Sequence, residues 1–184
     1  MKKIQKKIAI ILIIAIILLG SIIFPRPSMA TGNSVELYAT HRYGNLLVRN
    51  GVDLTTIYIV YQKDGIEYPS YCLQLELDGA TEDFSYSVNT DSQITDMEIW
   101  RTVVNGYPYK TPEELGCATK EEAYLATRQA IYCAVYDRDP NSYGALRGEA
   151  GARTLNAMKS IVNIARTSTE VNPSATLNIT SNNA

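Results

Sequence analysis

The chain has 184 residues with 17 Lys+Arg, 19 Asp+Glu and one histidine. Its first 30 residues hold five of the basic residues and none of the acidic ones, so the remainder carries 12 against 19, a formal net charge of −7. That balance argues against nucleic acid or an anionic membrane surface as partner, and about 150 residues suffice for one domain with a real core.

Met1 to Ala30 reads as a secretory signal peptide. Lys2, Lys3, Lys6 and Lys7 form a positive start, and Ile8 to Phe24 is apolar apart from Gly20 and Ser21. Pro25 and Pro27 break the run, and Ser28-Met29-Ala30 offers small residues for cleavage. An uncleaved anchor is the alternative, with a run at the short edge of what spans a bilayer.

The half that follows reads as β. Strands are expected at Val35 to Ala39, Leu46 to Val48, Leu54 to Gln62 and Tyr68 to Leu77, separated by turns at 42–45, 50–51 and 63–65. The third, LTTIYIVYQ, is dense in β-branched and aromatic residues. In the fourth, Tyr71, Leu73, Leu75 and Leu77 alternate with Cys72, Gln74, Glu76 and Asp78. Cys72 therefore falls on the face opposite the leucines, among polar neighbours. Thirteen tyrosines against two phenylalanines suit large half-buried surfaces, since tyrosine covers apolar area while keeping a wet hydroxyl.

The other half reads as α. Ile94 to Val104 carries Met97, Trp100, Val103 and Val104 at helical spacing. Thr111-Pro112-Glu113-Glu114 suggests a short helical turn. Thr119 to Asp137 reads as one helix: Thr119 with Glu122 is a capping-box start, and strong helix formers follow. Leu125, Ala126, Gln129, Tyr132, Cys133 and Tyr136 share one face, apolar except for Gln129. A primary amide on a core-facing stripe needs partners or costs about 1–3 kcal/mol. It is either bonded internally or has been chemically consumed. Asn141 to Arg147 is expected as a loop and Glu149 to Arg166 as a last helix. Ala175 to Thr180 alternates like a strand, so residues 171–184 are expected to be a linker or the first strand of a following domain.

Three cysteines, Cys72, Cys117 and Cys133, leave one over in any disulfide scheme. Cys133 lies on the order of 20 Å along its helix from the start near Cys117, against a disulfide between them. Cys72 with Cys133 is conceivable. Cys117 and Cys133 otherwise read as small buried hydrophobes. Scattered thiols without a CxxC, and one distant histidine, predict no metal, and nothing predicts a cofactor.

Two motifs carry a resemblance. YCLQ (Tyr71 to Gln74) and ATRQAIY (Ala126 to Tyr132), with VVNGYPYKTPEELG (Val103 to Gly116) between them, resemble the thioester domains of Gram-positive surface adhesins. The resemblance spans about Val35 to Arg166 and assigns residues 31–170 to such a domain. It implies an α+β fold, an N-terminal antiparallel β-sandwich or barrel packed on a C-terminal helical subdomain. It also implies that Cys72 and Gln129 join as an internal thioester, with Tyr71 in the strand motif and Thr127, Ala130 and Tyr132 in the helix motif. The family's helix motif is Thr-Gln-x-Ala-Ile-Trp. Here Gln129 stands one place later, after Arg128, and Tyr132 replaces the tryptophan.

The implied function is a secreted, cell-surface, single-turnover covalent binder rather than an enzyme. A lysine amine on a host protein would attack the Gln129 acyl carbon and release Cys72, with further domains tethering the chain to the cell wall. A non-covalent or pilus-like domain without the thioester is one rival. A secreted cysteine hydrolase or transglutaminase-like enzyme is the other. It would need a histidine base, and His41 precedes Cys72, the wrong order for papain-like enzymes.

Overall fold

Two antiparallel sheets and three packed helices make up the computed structural model, which describes residues 36–43, 45–63, 66–75, 86–87 and 94–172. All of them belong to the unit Val35–Ala184. The proposed signal segment, the strand expected at Ala175 to Thr180 and residues 76–78 lie outside the described residues.

The strands are β1 (Glu36–Tyr43), β2 (Leu47–Arg49), β3 (Val52–Asp53), β4 (Thr56–Lys63), β5 (Ile66–Ser70), β6 (Tyr86–Ser87) and β7 (Tyr143–Ala145). One sheet has the order β5-β4-β1-β6, the other β3-β2-β7. β1 runs into the turn expected at 42–45, because pairing with β4 continues from Glu36↔Gln62 to Tyr43↔Thr56 across an irregularity between Ala39 and His41. Long-range pairing here overrides the local turn signal. Asn50 and Gly51, at φ 50° and 77°, close the β2–β3 hairpin as their types favour.

β7 was expected as loop. It is too short to show a periodicity, but it pairs with β2 through Leu47↔Ala145, Val48↔Gly144 and Arg49↔Tyr143. The helical half thus contributes a strand to a sheet of the β half, and the two halves are interleaved.

The helices are α1 (Met97–Val104), α2 (Lys120–Val135) and α3 (Glu149–Thr167). α1 begins three residues later than expected, because Asp96 caps it by accepting from Ile99 N at 3.0 Å. The 111–116 segment is a run of turns, not a helix. Thr111 and Glu114 nonetheless form a reciprocal box, with backbone-to-side-chain bonds of 2.8 and 3.2 Å. α2 matches its capping signal, since Thr119 Oγ1 accepts from Glu122 N at 3.2 Å. Glu122 reaches back one residue further than the motif predicts, accepting from Ala118 N at 3.0 Å. Its carboxylate also takes a bidentate bond from Arg153 of α3, at 3.0 and 2.8 Å.

α2 is the organising helix, and its burial is not confined to one stripe. Residues 122–127 and 129–133 are all buried. One side packs into a core with Leu47, Tyr143, Ala157, Met158, Ile161 and Val162. Tyr124 packs into a second cluster with Tyr58 and Val60 of β4, flanked by Tyr71 and Tyr107. A central helix covered by α1, α3 and both sheets has no solvent face to pattern, which is why the one-face reading was too narrow.

Candidate functional site

β5 ends at Ser70, seven residues short of the strand end expected at Leu77. Cys72 is therefore not in a strand. It lies in the irregular segment that leaves the sheet edge, half-buried, with its Sγ donating to Gln74 O at 2.9 Å. A tyrosine from α2 explains the exit. Tyr124 Oη donates to Ser70 O at 2.7 Å and accepts from Ile59 N at 3.3 Å. Ile59 and Ser70 are the last partners of the β4–β5 ladder. The hydroxyl bridges them and ties the end of the ladder to the helix.

A second tyrosine holds the segment further on. Tyr136 Oη donates to Leu73 O at 3.1 Å and accepts from Leu75 N at 2.8 Å. Tyr124, Arg128, Tyr132 and Tyr136 are spaced by four, so they form one ridge along α2. Both ends of that ridge bond the 70–75 segment. Cys72 lies in the chain between the two attachment points, and Gln129 lies in the helix between the two tyrosines.

Gln129 is buried, at 4 % exposure, and its Oε1 has no hydrogen-bond partner among the described residues. A buried, unpartnered carbonyl oxygen is costly and uncommon in folded proteins. Arg128, the residue standing at the family motif's usual glutamine position, is only partly buried. The register one place later thus puts the amide in the interior.

Tyr71 stacks on Tyr124 with ring centroids 4.8 Å apart, and its hydroxyl donates to Tyr107 O at 2.6 Å. Burial pushes the Tyr71 phenol well above its ordinary range, the neighbouring Tyr124 adds to this, and the Thr127 hydroxyl offsets part of it. Burial likewise raises Tyr124 to about 12, with the Arg128 charge opposing. Both phenols stay protonated and act as donors. Thr127 Oγ1 accepts from Tyr107 N at 2.9 Å and donates to Ala123 O at 2.8 Å. A Cβ on Gly106 would collide with the Thr127 methyl, so only glycine lets the 106–107 backbone approach α2 this closely. Ala130 is fully buried beside Gln129, where no larger side chain is needed to fill the core.

Tyr132 is sandwiched by cations. The Arg128 and Arg138 guanidinium carbons lie 5.6 and 5.5 Å from its ring centroid, and Arg128 Nε donates to its hydroxyl at 3.2 Å. Tyr124, Tyr136, Tyr107 and Arg128 were not singled out as site residues by the sequence reading. The tyrosine excess is the legible signal: Tyr124 and Tyr136 hold backbone groups through their hydroxyls, while Tyr107 is held through its own main-chain N and O.

The three cysteines are free thiols. Cys117 and Cys133 lie in the main core, as expected of small buried hydrophobes. Burial raises both, Cys117 to about 11. Cys133 faces Tyr143, whose hydrogen bond partly offsets its shift, whereas Cys72 adjoins Tyr124 in the other cluster. His41 sits on β1 opposite Tyr58. No cluster of three metal-ligating side chains occurs among the described residues.

The thioester domain family model matches residues 69–167, more than half of the chain and a stretch that includes Cys72 and Gln129. No curated protein sequence matches. Among solved structures, the Bacillus anthracis TIE protein is similar at 23 % identity and TM-score 0.61, over 76 % of this chain and 25 % of that one. The thioester domain of the Enterococcus faecium TIE86 protein is similar at 19 % identity and TM-score 0.55, over 74 % of this chain and 52 % of that one. At these identities the likeness speaks for the fold, and the chain spans a quarter and about half of the two relatives. With the family model covering the segment that holds both motifs, the chain belongs to the thioester domain family.

Proposed function

We propose that Cys72 and Gln129 form an internal thioester and that the domain uses it to attach covalently to an amine on another protein. The family supplies the capacity for covalent bonding through a reactive thioester. The observation that carries the assignment to this pair is the buried Gln129 carboxamide with its unpartnered oxygen, set in the helix between the two tyrosines that hold the Cys72 segment.

The Cys72 thiolate attacks Gln129 Cδ, a C–S bond forms, the C–N bond breaks, and the amide nitrogen leaves as ammonia with the thiol's proton. Holding the two groups side by side replaces a bimolecular encounter with an intramolecular one, worth several kcal/mol of barrier, on the order of 7–11 at best. A primary amine then attacks the same carbon, an amide forms, and Cys72 leaves as a thiol. The bond is consumed, so each molecule reacts once. We assign the amine to a lysine of a host extracellular protein, the chain to the Gram-positive cell surface as an adhesin, and the two sheets to the sandwich or barrel of that family. Residues 1–30 fit a signal peptide and 171–184 a link to wall-anchored domains.

Labelling with a fluorescent primary amine, followed by proteolysis, tests the pair. The adduct is expected on the peptide containing Gln129 and absent from Cys72→Ala. Label elsewhere, or label retained in Cys72→Ala, overturns the assignment.

A further inference from the structure

The ridge that holds the Cys72 segment carries a cation with no ion-pair partner among the described residues. Arg128 makes no ion pair among the described residues, although the chain beyond residue 30 has an excess of acids. Its Nε is engaged by the Tyr132 hydroxyl and its plane lies near that ring. One terminal nitrogen, Nη1, is buried and has no acceptor among the described residues. A buried guanidinium N–H left unmatched costs free energy and calls for an explanation. The very next residue, Gln129, carries the complementary orphan, a buried carbonyl oxygen without a donor. The two residues are adjacent on α2, so both orphan atoms belong to the same turn of the helix.

We infer that the Arg128 guanidinium is the electrostatic partner of the Gln129 acyl oxygen when that oxygen becomes an oxyanion. The inference rests on the proposed Cys72–Gln129 thioester. In both making and breaking the thioester, a nucleophile adds to the Gln129 acyl carbon and the C=O electron pair moves onto oxygen. When the leaving group departs, as ammonia in formation and as the Cys72 thiolate in aminolysis, the pair returns. A cation anchored by Tyr132, with no ion pair among the described residues, stabilises that transient negative charge. It also favours the departing thiolate. The ground state leaves both atoms unbonded to each other, so the stabilisation falls on the transition state and not on the resting amide or thioester.

The test uses the domain with Arg128→Gln and Arg128→Met, read by intact mass during methylamine treatment and by thermal melting. Neutral replacements are expected to keep the melting transition and to slow aminolysis by roughly 10- to 100-fold, below the loss for a single oxyanion donor in enzymes. Where formation is slowed as well, the ammonia deficit is expected to appear late and partially. Added methylguanidinium at millimolar concentration is expected to recover part of the rate in the variants and leave the wild type unchanged, a response that lost packing alone does not give. Equal rates in wild type and variants, a loss that methylguanidinium does not recover, or loss of folding in both variants each overturns the role. If the wild type itself shows no ammonia deficit, the thioester reading has failed, not merely this extension of it.

Discussion

Tyr124 Oη stands between Ile59 N and Ser70 O, the last partners of the β4–β5 ladder, at 3.3 and 2.7 Å. One phenol thereby ties the central helix to the end of a sheet and directs the chain that follows, including Cys72, along the helix. Tyr124→Phe leaves two buried backbone groups without that partner. It is expected to destabilise the domain by about 1–3 kcal/mol in urea unfolding and to lower the fraction of molecules carrying the thioester. A variant as stable and as fully crosslinked as wild type would show that the hydroxyl is dispensable.

Gly106 lets the 106–107 backbone reach the Thr127 hydroxyl, which accepts from Tyr107 N. Gly106→Ala places a methyl against the Thr127 side chain and is expected to cost about 1–3 kcal/mol. Thr127→Ser keeps the hydroxyl and relieves that collision in part. The double variant should therefore be more stable than the sum of the two single effects, which a double-mutant cycle of unfolding free energies measures.

Glu122 is buried, and its carboxylate takes two bonds from Arg153 and one from Ala118 N. The Arg153 hydrogen bond, foremost, holds its carboxyl below the usual range, against the opposing effect of burial. A depressed folded-state value means the unfolded chain binds the proton more readily. The contribution is therefore full above the ordinary glutamate range and is lost as pH falls through and below it. Arg153→Ala is expected to lower stability at neutral pH, by less than the loss of a fully buried pair because Arg153 is partly exposed. The deficit relative to wild type should shrink as the pH is lowered below about 4. A deficit that stays constant across pH 3 to 7 would contradict this coupling.

Cys117 and Cys133 are expected to take no part in the chemistry. With burial holding the Cys117 thiol up at about 11, alkylation of the folded protein at pH 8 should spare it. Cys117→Ala and Cys133→Ala should keep amine capture intact, with the latter losing about 1–2 kcal/mol for its fully buried sulfur. Loss of capture in Cys133→Ala would reopen a disulfide role.

Much of this was readable from the chain because local signals and tertiary packing agree. Thr119 and Glu122 mark the start of α2, Asn50-Gly51 marks a hairpin, and LTTIYIVYQ is a strand on composition alone. The misses share a physical cause, namely partners distant in sequence. The alternation from Tyr71 to Leu77 looked like continued strand, yet β5 stops at Ser70 because Tyr124, 54 residues on, takes over its carbonyl. Tyr143 to Ala145 is a strand only through its pairing with β2. Gln129 was legible as an amide on an otherwise apolar helix face, whereas Arg128 beside it carried no signal beyond its place in the motif. What distinguishes Arg128 is an unmatched buried nitrogen, a property of packing that no spacing encodes.

Intact mass of the domain under non-reducing conditions, before and after methylamine, tests the central claim most directly. The account predicts a mass lighter than the sequence by one ammonia, rising by one methylamine on treatment, with the deficit lost in both Cys72→Ala and Gln129→Ala. A mass equal to the sequence, or lighter by only two hydrogens as a disulfide would leave it, contradicts the thioester.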